Sequence, residues 1–293
     1  MSKFLKRDIF SYFQMGPYGT RAFSLNRILL AEKKYLEMKQ NNGVRTITLS
    51  DPSSRNSLSL AMLKSLVINI KKDENNIDLR SIVIRSVPGS VFSAGHNLKE
   101  LSGNNWTLHK EIFDTCSELM RAISLSPVPV IAAVDGLAAA AGCQLIAACD
   151  IVICTETSSF STPGANFGIF CSTPGIPLVR SVPKKTAMYM LFTGSSISGR
   201  EAYDVGLVSK VVPKEKFEEE IEKITSAINE KSRSVMHIGK TFLYEQMDLD
   251  VSTAYFLGTE KMVNNLKLKD AQEGIKSFTE KRKPVWKHNY EKN

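Results

Sequence analysis

The residues best placed to do chemistry lie in two small-residue stretches. The first is Val91-Phe92-Ser93-Ala94-Gly95-His96-Asn97-Leu98, the second Val134-Asp135-Gly136-Leu137-Ala138-Ala139-Ala140-Ala141-Gly142-Cys143-Gln144-Leu145. Each follows an apolar, β-branched run, Ile82-Val83-Ile84 or Val130-Ile131-Ala132-Ala133-Val134, and each leads into a helical pattern. A strand that feeds a small-residue turn and then a helix start leaves backbone N–H groups unpaired, with little side chain in their way. One such turn often serves only close packing. Two side by side can hold one negatively charged oxygen.

Other chemistries lack their residues. The chain has no Gly-x-x-x-x-Gly-Lys-Ser/Thr, His-Glu-x-x-His or Gly-x-Ser-x-Gly, which argues against a P-loop hydrolase, a zincin and the usual serine hydrolase. Cys116, Cys143, Cys149, Cys154 and Cys171 form no CxxC pair, and the histidines at 96, 109, 237 and 288 are scattered, so no metal is expected. Buried, reduced thiols are the expectation for all five cysteines.

With its two turns the sequence resembles the crotonase superfamily, the enoyl-CoA hydratases and isomerases, from about Val44 to Trp286. In that family an Ala-Gly-x-Asp-Leu/Ile motif and a later Gly-rich turn each supply a backbone donor to an oxyanion hole. The resemblance places those donors at His96, after Ala94-Gly95, and at Ala141, before Gly142-Cys143. It implies an α/β crotonase (ClpP-like) fold, an acyl-CoA or enoyl-CoA thioester as ligand, no separate cofactor because CoA is part of the substrate, and a homotrimer or dimer of trimers. It also implies CoA contacts from Arg55 and Ser57 in the loop Pro52–Ser57, from Ala94, Asn97, Leu98 and Lys99 around the first turn, and from Phe278 and Lys281 in the closing helix. Within Glu273–Pro284, Phe278 and the cations Lys281, Arg282 and Lys283 would meet the nucleotide end.

The departures from the family pattern are as informative. Its hydratases use two glutamates, one to deprotonate water and one to protonate the α-carbon. At those positions this chain has Gln144 and, after Phe160-Ser161-Thr162-Pro163, Gly164. Neither exchanges a proton near neutral pH. Each lost acid or base is worth roughly 10²–10⁴ in rate, so hydration is expected to be weak or absent. His96 is the one imidazole at the proposed site, and its side chain is read first as structural, flanking the CoA. Asn97 replaces the family's Asp. Cys143, Asn166 and Cys171 are weak substitutes, and Asp150 reads as a local hydrogen-bonding residue at a strand start. Besides thioester binding, two further readings stand: decarboxylation of a malonyl-type thioester, which needs only the oxyanion hole, and a non-catalytic partner of fatty-acid enzymes. For decarboxylation the neutral residues at 144 and 164 are an advantage, since a glutamate there would repel the substrate's carboxylate.

The elements that must position these residues follow from periodicity. Val44–Leu49, Arg80–Ser86, Pro129–Val134, Asp150–Cys154 and Leu207–Val212 read as strands. Leu29–Gln40 has helical composition, and Leu58, Met62, Leu66 and Ile70 recur at helical spacing. Leu108–Ile123 and the segment from the second turn through Ala148 read as helices. So do Lys184–Phe192, Gly199–Val205, Lys214–Glu230, Val235–Gln246, Val251–Leu266 and Asp270–Lys281. Strands alternating with helices imply an α/β fold around a single sheet, with a helical C-terminal third.

The 293 residues are 43% hydrophobic and 23% charged, with no apolar run long enough to span a membrane. The net charge of +8 sits at the ends: residues 1–30 and 281–293 each carry five cations against one carboxylate, and the stretch between is balanced. A nucleic-acid groove, which would need a basic face on the folded body, is not expected. Met1 to about Phe23 is basic, nearly acid-free and mixes Phe4, Leu5, Ile9, Phe10 and Phe13 with Ser, Tyr and Gly. It reads as a mitochondrial transit peptide, implying the matrix; a disordered basic tail is the alternative. The organisation expected is a transit peptide 1–23, a transitional segment 24–43, a core 44–230 and a C-terminal helical region 231–293.

Overall fold

The computed structural model describes residues 35 to 292, so the transit-peptide segment and residues 24–34 lie outside the described residues. In chain order the strands are β1 (Leu36–Asn41), β2 (Val44–Leu49), β3 (Ser81–Ser86), β4 (Val91–Ser93) and β5 (Val130–Val134). Then come β6 (Leu137–Ala139), β7 (Ile151–Thr155), β8 (Ser159–Ser161), β9 (Ile197–Ser198) and β10 (Lys210–Val212). They form two sheets, β1-β2-β3-β5-β7-β10 and β4-β6-β8-β9. The first is parallel except for the β1–β2 hairpin, the second parallel except for β8–β9.

The chain passes from the first sheet to the second three times, by β3 to β4, β5 to β6 and β7 to β8. Each crossing stacks on the next through Leu137 N–H to Ser90 O (3.0 Å) and Ser159 N–H to Gly136 O (3.3 Å). Parallel neighbours need long return connections. These include helices α1 (Leu60–Lys71), α2 (Leu98–Leu101), α3 (Trp106–Leu125) and α4 (Ala141–Ala148). After β8 follow α5 (Ser172–Ser181), α6 (Lys184–Thr193), α7 (Gly199–Asp204), α8 (Phe217–Asn229), α9 (Arg233–Gln246), α10 (Val251–Leu266) and α11 (Lys269–Thr279).

Both faces of the large sheet are covered, which is why β5 is apolar throughout. On one face a large core runs from Leu36 to Val208; on the other Val83, Ile131 and Ile153 pack against Phe217 and Ile221 of α8. Two expectations are corrected. The fold has a second sheet, and Leu36–Asn41, inside the stretch given helical composition, is a strand. Glu37, Met38, Lys39 and Gln40 favour helix, yet six residue pairs with β2 decide the conformation. The turn at Asn42-Gly43, both at positive φ, closes that hairpin.

The C-terminal helices are tied to this core by buried polar bonds. Arg233 donates from Nε to Leu79 O (3.0 Å) and from Nη2 to Glu74 O. Lys240 donates to Ile123 O (2.8 Å), Val128 O (3.1 Å) and Asp150 Oδ2 (2.7 Å), and Tyr244 OH donates to Asp150 Oδ1 (2.9 Å). Asp150 also accepts from Val130 N–H at 2.6 Å. It thus stands before β7 as expected but reaches far beyond local bonding. Among the described residues no helix is long and apolar enough to cross a membrane.

Candidate functional site

The first turn is built from the loop before α1. Ala94 N–H donates to Arg55 O (3.0 Å), Ser93 Oγ to Asn56 O (2.8 Å) and Leu58 N–H to Gly95 O (2.7 Å). Arg55 sits at φ +58° and Ser57 is buried, so both belong to the frame of this turn. Gly95 has φ +88°, and a β-carbon on it would stand 2.9 Å from Ala139 O and 3.0 Å from Ala141 N. The first turn therefore lies directly against the second, and only glycine permits that approach.

The second turn carries strain. Ala140 adopts φ 50°, ψ −117° at the N-cap of α4, a conformation disfavoured for a residue with a side chain. Ala140 N–H donates to Ser161 O (2.9 Å), and its carbonyl accepts from Gln144 N–H (2.9 Å). Ala141 is then the first residue of α4, where an N–H has no intrahelical acceptor. Among the described residues neither the His96 N–H nor the Ala141 N–H is engaged by an acceptor.

His96, Ala141, Gly164, Ala94 and Leu98 line one cavity of about 120 Å³, together with apolar side chains that include Phe113 and Pro174. Its described lining holds no carboxylate and no cation; His96 and the Cys171 thiol are its titratable groups. Burial, opposed by the Leu58 carbonyl, holds the His96 imidazole below its ordinary pKa of 6.5. Cys171 Sγ accepts from Gly164 N–H at 3.3 Å, and burial outweighs that bond to push the thiol's pKa up. All five cysteines are free, and burial pushes Cys116, Cys143 and Cys154 up to about 12.

Gln144 is not brought into this cavity. It is 3% exposed, its Oε1 accepts from Cys116 Sγ of α3 at 3.8 Å, and it borders a second cavity of about 990 Å³ between α3, α4, α5 and α9. Thr173 lines both spaces. Asn97 caps α2 by accepting from Lys99 N–H (3.1 Å), and Lys99 is exposed. Phe278, 84% exposed on α11, and Lys281, at φ +53° beyond it, lie outside the cavity; Arg282 of the same run is held by Glu273 and Glu280. Phe113, Pro174 and Thr173 also line the site, and periodicity alone does not single them out.

Residues 39–289 match the family model described as enoyl-CoA hydratase/isomerase. The chain belongs to this family and has the crotonase fold. Its sequence is 53% identical to enoyl-CoA hydratase domain-containing protein 3, mitochondrial, of Rattus norvegicus, over 88% of this chain and 86% of the relative. The crystal structure of the human protein of that name superposes with a TM-score of 0.85 at 52% identity, covering 86% of this chain and all of the other. An enoyl-CoA hydratase structure from Mycobacterium smegmatis gives 0.84 at 38% identity, covering 87% and 99%.

Proposed function

We propose that the protein binds a fatty acyl-CoA or enoyl-CoA thioester, with the carbonyl oxygen on the His96 and Ala141 N–H groups, and that it is a poor hydratase. The observation that carries this reading is the contact of the two turns at Gly95, beside two unengaged N–H groups in a cavity without a carboxylate. Donors fixed in place before the ligand arrives stabilise developing negative charge without reorganisation. CoA enters as part of the substrate.

The lack of a carboxylate in the cavity lining also favours a second reading, decarboxylation of a malonyl-type thioester. Loss of CO₂ leaves an enolate whose charge the same two donors would meet. Gly164 is the position where a glutamate would repel the substrate's carboxylate; Gln144, facing the neighbouring cavity, contributes less to this than its family position implies. The naming of relatives as mitochondrial supports a mitochondrial location, and the reading extends this to the matrix and to fatty-acid metabolism. Helix α10 buries none of its residues in the single chain, and Val251, Tyr255 and Phe256 are about 70% exposed or more, which supports self-association; that the assembly is a homotrimer or dimer of trimers is part of the proposal. Elution as a monomer in sizing chromatography would contradict that assembly.

Calorimetry against acyl-CoAs of several chain lengths tests the binding reading, with malonyl- and methylmalonyl-CoA incubated in parallel and the products weighed by mass spectrometry. Saturable binding is expected, and Gly95→Ala is expected to abolish it, because its β-carbon wedges the two donors apart. Absence of binding at every chain length would sink the thioester reading in favour of a non-catalytic partner. Malonyl-type thioesters that bind and stay intact would end the decarboxylase reading.

A further inference from the structure

Resting on the acyl-CoA reading, we propose that the His96 imidazole is the proton-transfer group of the thioester cavity, its Nε2 taking the α-proton of the bound acyl group. The ring lines the cavity and is edge-on to Phe113, with centroids 5.2 Å apart. Its Nδ1 lies 3.3 Å from Leu58 O. A carbonyl only accepts, so Nδ1 carries the proton and Nε2 the lone pair. That Nε2 is buried and has no hydrogen-bond partner among the described residues. His109 Nε2 on α3 is likewise buried without a partner, but of these two imidazoles only His96 lines the cavity.

The same residue thus offers two groups of complementary function, a backbone donor for the carbonyl oxygen and a side-chain base. When Nε2 takes the α-proton, the Cα–H electron pair becomes the carbon–carbon double bond of the enolate, and the carbonyl π pair moves to the oxygen held by the His96 and Ala141 N–H groups. The imidazolium and enolate form an ion pair until the proton returns. No other reactant is required. Exchange of the imidazolium proton with solvent before that return labels the α-carbon with a solvent hydrogen.

The surroundings favour a neutral ring at pH 7. Burial lowers its pKa and the Leu58 carbonyl opposes this, with no charged side chain contributing. Around it, α3 contributes Phe113 and the 163–174 loop contributes Cys171 as its titratable group on the cavity, its pKa raised by burial. On α2, Glu100 accepts from Leu60 N–H (2.9 Å) and Lys99 is exposed.

The test is hydrogen exchange at the α-carbon of butyryl-CoA in D₂O with the full chain, followed by mass spectrometry. Protein-dependent labelling is expected, with a rate that rises with pH and levels off at a midpoint below 6.5. His96→Gln keeps the backbone donor and lacks the base, so when saturated with butyryl-CoA it should exchange at least about 10²-fold more slowly than the saturated parent. Labelling by His96→Gln at the parental rate would overturn the inference, as would a parent that binds butyryl-CoA without exchanging it. If the variant does not fold, the parent's pH profile decides, a flat profile counting against an imidazole base. Failure of the parent to bind any acyl-CoA would instead remove the thioester reading and this inference with it.

Discussion

Returning both family glutamates, as Gln144→Glu with Gly164→Glu, is expected to leave crotonyl-CoA hydration absent and to lower the melting temperature by roughly 6 °C or more. The reason is steric at one position and topological at the other. A β-carbon on Gly164 would stand 2.1 Å from Ile169 O and 2.7 Å from Cys171 Sγ. The loop cannot yield without losing Ile169 N–H to Gly164 O (3.0 Å) and Gly164 N–H to Cys171 Sγ (3.3 Å). Overpacking of this kind costs about 3 kcal/mol, and each kcal/mol is worth roughly 2 °C in a chain of this size. At position 144 the new carboxylate would meet the Cys116 thiol and border the larger cavity, which shares Thr173 with the cavity of His96 and Ala141. A double variant with the parental melting temperature and measurable hydration would show that the loop accepts a side chain and that residue 144 reaches the substrate.

Lys240→Met is expected to destabilise the protein by about 3–5 kcal/mol, read from urea unfolding. The ammonium group is buried on three acceptors, Ile123 O, Val128 O and Asp150 Oδ2, and burial lowers its pKa against the pull of Asp150. Removing it leaves the Asp150 carboxylate, among the described residues, with Val130 N–H and Tyr244 OH. Because these bonds tie α9 to the ends of α3 and β5, the loss should fall on the docking of the C-terminal helices. A change below about 1 kcal/mol, as for an exposed pair, would contradict this account.

The strands and helices with long periodic patterns were legible in the sequence: β2, β3, β5, β7 and the helices α1, α3, α4 and α6 to α11 fall within a few residues of expectation. The second sheet was not. Its strands have two or three residues, too few to show alternation, and Ser93, Ser159 and Ser161 give no β signal. Helix α5 was missed because Pro174, Gly175 and Pro177 argue against helix; Pro174 lies in the first turn, where its missing N–H costs nothing. Of the site, the two small-residue turns could be read directly, since glycine and alanine in those places report a backbone approach. What Gly164 reports was only half legible. The sequence shows a carboxylate missing there, whereas the structure shows a loop folded so tightly that no side chain fits. The orphaned Nε2 of His96 depends on Leu58, 38 positions away, and had no local sign.

The most direct test of the central claim, an intact oxyanion hole without the hydratase carboxylates, is crotonyl-CoA hydration by the purified parent protein, followed as loss of the thioester enone absorbance. A rate at least about 10²-fold below that of an active hydratase of the family assayed alongside is expected, because at least one acid–base group is gone. A rate equal to that enzyme's would contradict the claim.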